Sequence, residues 1–144
     1  MLNSTIEFNK NNISFELKNK TKVRAWIEEA MKKEGYKIEH ISYIFCSDKF
    51  LLKLNKEYLQ HDTFTDIITF DYSEKNGKIN GEIYISIDSV KANAKEFKCA
   101  FINELHRVMI HGVLHLCGYK DKTSKHQEEM KSKEDFYLSR LELR

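Results

Sequence analysis

Residues 82–88 read EIYISID, with Ile83, Ile85 and Ile87 on one side of a two-residue alternation and Glu82, Tyr84, Ser86 and Asp88 on the other. Strict alternation marks a half-buried β-strand, because successive side chains leave opposite faces of a sheet. Just before it, Asn76-Gly77 and Asn80-Gly81 are turn signals, and before those HDTFTDIITFDY (61–72) is rich in β-branched and aromatic residues. The two apolar runs are expected to pair as a hairpin. Downstream the apolar period becomes helical. One helix is predicted to open at Asp88 or Ser89 and run to about Lys98, the next from about Phe101 to Cys117 with Gly118 as its stop, and the last over about Ser124 to Leu141.

Toward the N-terminus, Asp48 is a candidate cap for a helix that turns Phe50, Leu51, Leu54 and Tyr58 inward, and Ile38 to Cys46 reads as a strand. Thr21 to about Gly35 carries Val23, Trp26, Ile27 and Ala30 at helical spacing, with Thr21 as its expected cap. The opening IEFNKNNISFEL alternates like a hairpin or two short strands around NKNN. The sum is an α+β fold, a small mixed sheet of about four strands with about five helices, in a single domain over residues 1–144.

The chain has 144 residues, 41% hydrophobic and 32% charged, with no proline and five glycines. That is the size and composition of one globular domain with no linker, repeat or disordered tract. The longest apolar runs, such as YIFC at 43–46, fall far short of the ~20 residues that a membrane span needs. No basic start followed by an apolar stretch opens the sequence, so the chain is expected to stay in the cytoplasm. Cys46, Cys99 and Cys117 are odd in number and outside CxxC pairs, and are expected to be buried thiols in a reducing compartment. A net charge of +2 is too mild to imply nucleic-acid binding without a local basic surface.

Chemistry concentrates in HGVLHLCGYKD, residues 111–121. His111 and His115 stand four apart, so on a helix they share one face about 6 Å apart along the axis, close enough to chelate one ion. Gly118 can take the left-handed conformation that ends a helix and turns the chain back, which brings Asp121 to the same ion. Two imidazoles and a carboxylate suit zinc, with a fourth position open for water; another divalent transition metal is the alternative. Such an ion acidifies water and polarises a phosphoryl oxygen, which favours hydrolysis. His126 is a rival to Asp121 as third ligand, whereas Cys117 falls on the opposite face and reads as core. His106 lies off the ligand face; His40 and His61 read as exposed or locally hydrogen-bonded. In helical zinc peptidases a glutamate follows the first histidine, but here it is Gly112, which weakens a peptidase reading and favours close packing on the sheet.

HGVLHLCGY resembles the signature of the bacterial YbeY family, metal-dependent endoribonucleases of 16S ribosomal RNA maturation. The likeness extends to LNKEYLQHDTFTDIITF (54–70), GEIYIS (81–86), Asn93-Ala94, Glu104-Leu105 and the 130–134 segment, over roughly residues 40–138. It implies a compact α+β domain, a zinc-like ion in a cleft, single-stranded RNA as substrate, and the small ribosomal subunit as partner. Its function would be 16S 3′-end maturation and ribosome quality control. Asp121 stands where the family usually has a third histidine, which adds a negative ligand and makes bound water less acidic. Leu59 stands where the family commonly has an arginine facing the site.

If the arginine's role persists here, Arg107 is the best candidate, one turn before His111 on the same face. A solvated or salt-bridged helix residue is the competing description of it. Asp66 is read as orienting a ligand or, by preference, capping a turn. Lys120 and Lys122, which flank Asp121, are the expected substrate contacts; Lys91, Lys95 and Lys98 on the third helix read as solvated. Two other functions compete with the nuclease: a non-catalytic ribosome-assembly or RNA-binding factor with a structural metal, and, less favoured, a metal amidohydrolase or peptidase.

Overall fold

The computed structural model describes residues 5–59, 65–74 and 76–141. Nine elements follow one another along the chain: β1 (Ile6–Lys10), α1 (Lys20–Lys33), β2 (Lys37–Cys46), α2 (Asp48–Tyr58), β3 (Ile67–Asp71), β4 (Lys78–Ser86), α3 (Ile87–Glu96), α4 (Phe101–Leu116) and α5 (Ser124–Leu138). The sheet order is β1-β2-β4-β3, with β1, β2 and β4 parallel and β3 antiparallel to β4. The expected hairpin forms, in the register Ile67 opposite Ile85 and Asp71 opposite Gly81. The α+β class with four strands and five helices is as expected.

Several local readings are corrected. The opening segment is a single strand and not a hairpin: the Asn11 amide donates to the Phe45 carbonyl, Asn12 turns the chain at φ 53°, and residues 13–17 run irregularly. Phe15 leaves this stretch to pack edge-on against Phe45, and Leu17 is buried in the core, so alternation there came from two separate anchors. Asn80-Gly81 is no turn but the middle of β4; a Cβ on Gly81 would stand 2.7 Å from the Phe70 carbonyl oxygen, so the residue is glycine for space. Of the two pairs, Asn76-Gly77 is the one that lies between β3 and β4, with Gly77 at φ 80°.

The starts of α2 and α3 shift by one residue because better acceptors precede them. The Ser47 hydroxyl, not Asp48, accepts from the Phe50 amide, and Ser86 accepts from Ser89, so α3 begins at Ile87, earlier than Asp88. α1 begins at Lys20 behind Asn19, which is left-handed and makes no side-chain cap, leaving Thr21 inside the helix. α5 closes at Leu138, short of Leu141. Tyr58, expected inward, is exposed, and so is Cys99; Cys46 is buried and Cys117 partly so.

α4 is the central helix. Leu105, Met109, Ile110, Val113 and Leu114 are fully buried, and the Tyr43 hydroxyl donates to the Met109 carbonyl at 2.9 Å. A Cβ on Gly112 would lie 2.8 Å from the Ile83 side chain, so this glycine lets α4 seat directly on β4 one residue from His111. Trp26 donates to the Tyr137 carbonyl at 2.7 Å and ties α1 to the end of α5.

Buried beside Trp26, at 5.9 Å between rings, is His106, whose Nε2 has no hydrogen-bond partner. Burial pushes it down to about 4 from its usual range. The folded protein therefore holds a neutral imidazole that the unfolded chain protonates below about pH 6.5, so this stability is complete above that pH and is lost as pH falls toward 4. The loss is on the order of 3 kcal/mol by pH 4. Denaturant unfolding of the wild type and of His106→Leu at pH 7.5 and 4.5 should show a smaller acid penalty in the variant; an equal penalty would place the acid sensitivity elsewhere.

Candidate metal centre

His111 and His115 sit on successive turns of α4, their rings nearly perpendicular with centroids 4.4 Å apart. The helix ends in a paired-bond stop: the Gly118 amide donates to the His115 carbonyl and the Tyr119 amide to the Leu114 carbonyl. Gly118 takes φ +104°, which L side chains rarely adopt, and the reversal carries Asp121 back over the helix. Asp121 Oδ2 then lies 3.4 Å from His111 Nε2 and 3.3 Å from His115 Nε2. One ligand atom from each of the three residues falls within a mutual 4.8 Å, the group among the described residues that could hold a metal ion.

The outer nitrogens are anchored. His115 Nδ1 bonds the Tyr119 carbonyl at 2.9 Å, and a carbonyl only accepts, so the proton is on Nδ1 and the Nε2 lone pair faces Asp121. His111 Nδ1 bonds Glu134 Oε2 at 2.6 Å, with the same consequence when Glu134 is ionised. The other oxygen of Glu134 accepts from Arg107 Nη1 at 2.7 Å, and Arg107 Nη2 donates to Asp135 at 2.6 Å. Burial opposes positive charge on His111, but the hydrogen bond it donates to Glu134 and the charges of Glu134, Asp121 and Asp66 outweigh it and raise its hold on a proton. A field that favours a proton there favours a cation. Two imidazoles locked in one tautomer, facing a carboxylate, fit a borderline-soft dication.

The cluster opens into a cleft of about 650 Å³ whose walls include Asn55, Leu59, Asp66, Glu104, Arg107 and Glu134. Glu104 is buried, and burial together with the nearby Asp66 raises its carboxyl. Burial likewise raises Asp66, against the opposing influence of His111 and of Asn93, whose amide donates to it at 3.1 Å.

The other candidate residues are distributed differently. Arg107 lines the cleft with both terminal nitrogens engaged by carboxylates. Lys120 and Lys122 are exposed and do not line the cleft; Lys120 borders a separate recess with Glu34 and His126. His126 is outside the ligand group. Lys91, Lys95 and Lys98 are exposed. Cys117 points to Met31, in keeping with a core thiol. His40 faces Glu7 at 4.0 Å, and His61 lies outside the described residues. Sequence reading assigned no role to Glu134 or Glu104. A signal for Glu134 existed: with Met130 and Tyr137 it forms the buried stripe of α5, and a glutamate in an apolar stripe is paired or functional.

The profile of a family described as endoribonuclease YbeY matches residues 5–142. A protein named endoribonuclease YbeY from Cytophaga hutchinsonii is 51% identical over 139 residues, which is 96% of this chain and 97% of the relative. One of the same name from Amoebophilus asiaticus is 50% identical, covering 88% of this chain and 86% of the relative. The solution structure of a Thermotoga maritima protein is 32% identical, with a TM-score of 0.66 over 94% of this chain and 88% of its own.

Proposed function

Since the chain belongs to the endoribonuclease YbeY family, we propose that it is a metal-dependent endoribonuclease that cleaves single-stranded RNA, with His111, His115 and Asp121 holding one zinc-like ion. One observation carries the metal assignment: three ligand atoms within 4.8 Å, with both imidazoles anchored through Nδ1. Imidazole donors favour zinc or a neighbouring transition metal over magnesium, which prefers oxygen and water. A dication held there supplies Lewis acidity toward a phosphoryl oxygen and toward water.

The chain's own groups do the rest. Glu134 and the Tyr119 carbonyl orient the imidazoles, and the cleft holds the phosphodiester against them. Arg107, paired with Glu134 and Asp135, helps through Glu134 to hold His111, and serves the phosphate as a cation only where the RNA draws it from the exposed Asp135. Lys120 and Lys122, exposed on the segment that delivers Asp121, meet the RNA backbone outside the cleft. The physiological substrate in this reading is ribosomal RNA of the small subunit, at its 16S 3′ end, in the cytoplasm. No helix among the described residues is long and apolar enough to cross a membrane.

A second reading, an RNA-binding assembly factor with a structural metal, is favoured by Leu59 at the cleft wall and by the neutralised Arg107. Cleavage of a single-stranded small-subunit RNA fragment, before and after chelation, separates the two. Loss of cleavage on chelation and its return with one equivalent of zinc or manganese supports the nuclease. Stoichiometric metal without cleavage would move the assignment to the assembly factor.

A further inference from the structure

Exposed aromatic rings gather at the free edge of the sheet, beside the cleft. β3 is an edge strand, and its Phe70 meets Tyr58 edge-on at 5.9 Å and Tyr84 edge-on at 5.7 Å. Tyr58, the last residue of α2, is 64% exposed, and Tyr72, just past β3, is 53% exposed. Tyr72 is held in place, its hydroxyl donating to Glu82 at 3.0 Å. Asn55, one turn before Tyr58, Leu59 beside it, and Thr69 beside Phe70 all line the metal cleft. Tyr58 therefore stands at the rim of the cleft, with Phe70 packed against it and Tyr72 further along the same sheet edge.

The charge of the cleft indicates what these rings would hold. Its described walls carry the carboxylates Asp66, Glu104, Asp121 and Glu134, and Arg107 is the single lysine or arginine among them, already paired with Glu134 and Asp135. Phosphates find little attraction inside the cleft before a metal binds, so beyond the backbone contacts of Lys120 and Lys122 outside it a polynucleotide gains its grip through its bases. Bases stack on tyrosine faces irrespective of sequence, and only unpaired nucleotides can offer a face.

We propose that Tyr58 and Tyr72 form a base-stacking platform that seats an unpaired nucleotide of the RNA at the mouth of the metal cleft and so selects single strands. The proposal rests on the endoribonuclease reading above. Both residues act through substrate binding, and neither takes part in bond cleavage.

The test uses the full chain and a fluorescein-labelled single-stranded 12-mer RNA, with affinity read by anisotropy across a salt series and cleavage followed in parallel. Tyr58→Ala and Tyr72→Ala should each weaken binding roughly tenfold, as loss of one stacked base does. The slope of log Kd against log salt should stay unchanged, because stacking releases no counterions. Tyr58→Trp should bind like the wild type and be quenched by RNA, the native Trp26 being buried. The wild type should bind an abasic 12-mer as weakly as the alanine variants bind the normal one.

Unchanged affinity in both alanine variants, or a loss that comes with a shallower salt slope, overturns the platform while wild-type cleavage leaves the nuclease reading standing. A wild type that neither binds nor cleaves RNA overturns both. A wild-type dimer dissolved by Tyr58→Ala, with RNA affinity unchanged, reassigns the face to a second copy of the chain and overturns the proposal.

Discussion

Asp121→Ala and His111→Ala should each lower the metal content of the purified protein from one equivalent to a small fraction of it, and reduce RNA cleavage by at least about a thousandfold. The expectation follows from the donor set: each substitution leaves two ligands out of three, and a two-ligand site is not retained against water at ordinary metal concentrations. Asp121 makes the cleaner test. Its side chain is 42% exposed and its contacts are the two histidines, so removing it leaves the core intact. His111→Ala also strands the buried Glu134 oxygen, which adds an unfolding penalty of about 1–3 kcal/mol that thermal denaturation should reveal separately. Asp121→His supplies a third imidazole and should keep the metal. Full metal retention by Asp121→Ala would show that the third ligand is another group.

The second large effect is expected at Glu134, through His111. Its carboxylate has two acceptors in use, one for His111 Nδ1 and one for Arg107 Nη1. Glutamine has the same shape but one acceptor and one donor, so Glu134→Gln cannot satisfy both partners. Either Arg107 faces an N–H, or His111 receives a donor at Nδ1 and its proton moves to Nε2, the atom needed for the metal. Partners that orient a ligating histidine are worth 10- to 100-fold in metal affinity, and a loss in roughly that range is expected from competition against a chromophoric chelator. Asp135→Asn is the control. It removes only the exposed half of the Arg107 pairing and should change affinity less than about fivefold, since exposed ion pairs contribute about 0–1 kcal/mol. Equal affinities for Glu134→Gln and the wild type would reduce Glu134 to a salt-bridge partner of Arg107.

Arg107 illustrates how position on a helix differs from availability. Its spacing from His111 was readable from the chain and places it on the cleft wall. Whether its charge is free depends on α5, which begins thirteen residues after His111 (124 − 111) and lays Glu134 and Asp135 against it. The cleft is thereby more negative than a count of its nearby basic residues suggests. A site of this charge favours cation loading first and polynucleotide second, which makes cleavage depend steeply on free metal.

What the sequence by itself determined is local. His111, His115, Gly118 and Asp121 fall within eleven residues, so the helical repeat and one left-handed glycine bring the ligands together without reference to the rest of the chain. The hairpin of β3 and β4 and the five helices were readable for the same reason, because periodicity and turn chemistry act over a few residues. Tertiary structure alone decided the remainder. The alternation in residues 6–17 could not show that Asn12 breaks the strand, or that β1 joins β2 in parallel across the intervening α1. Gly81 could not be told from a turn glycine until Phe70 lay opposite it. Glu134, Glu104 and Asp66 reach the cleft from three different segments, and Tyr58 turns outward although its spacing faces in. Each of these depends on which surfaces meet when the sheet and α4 pack, and a residue's period reports its face but not what that face will touch.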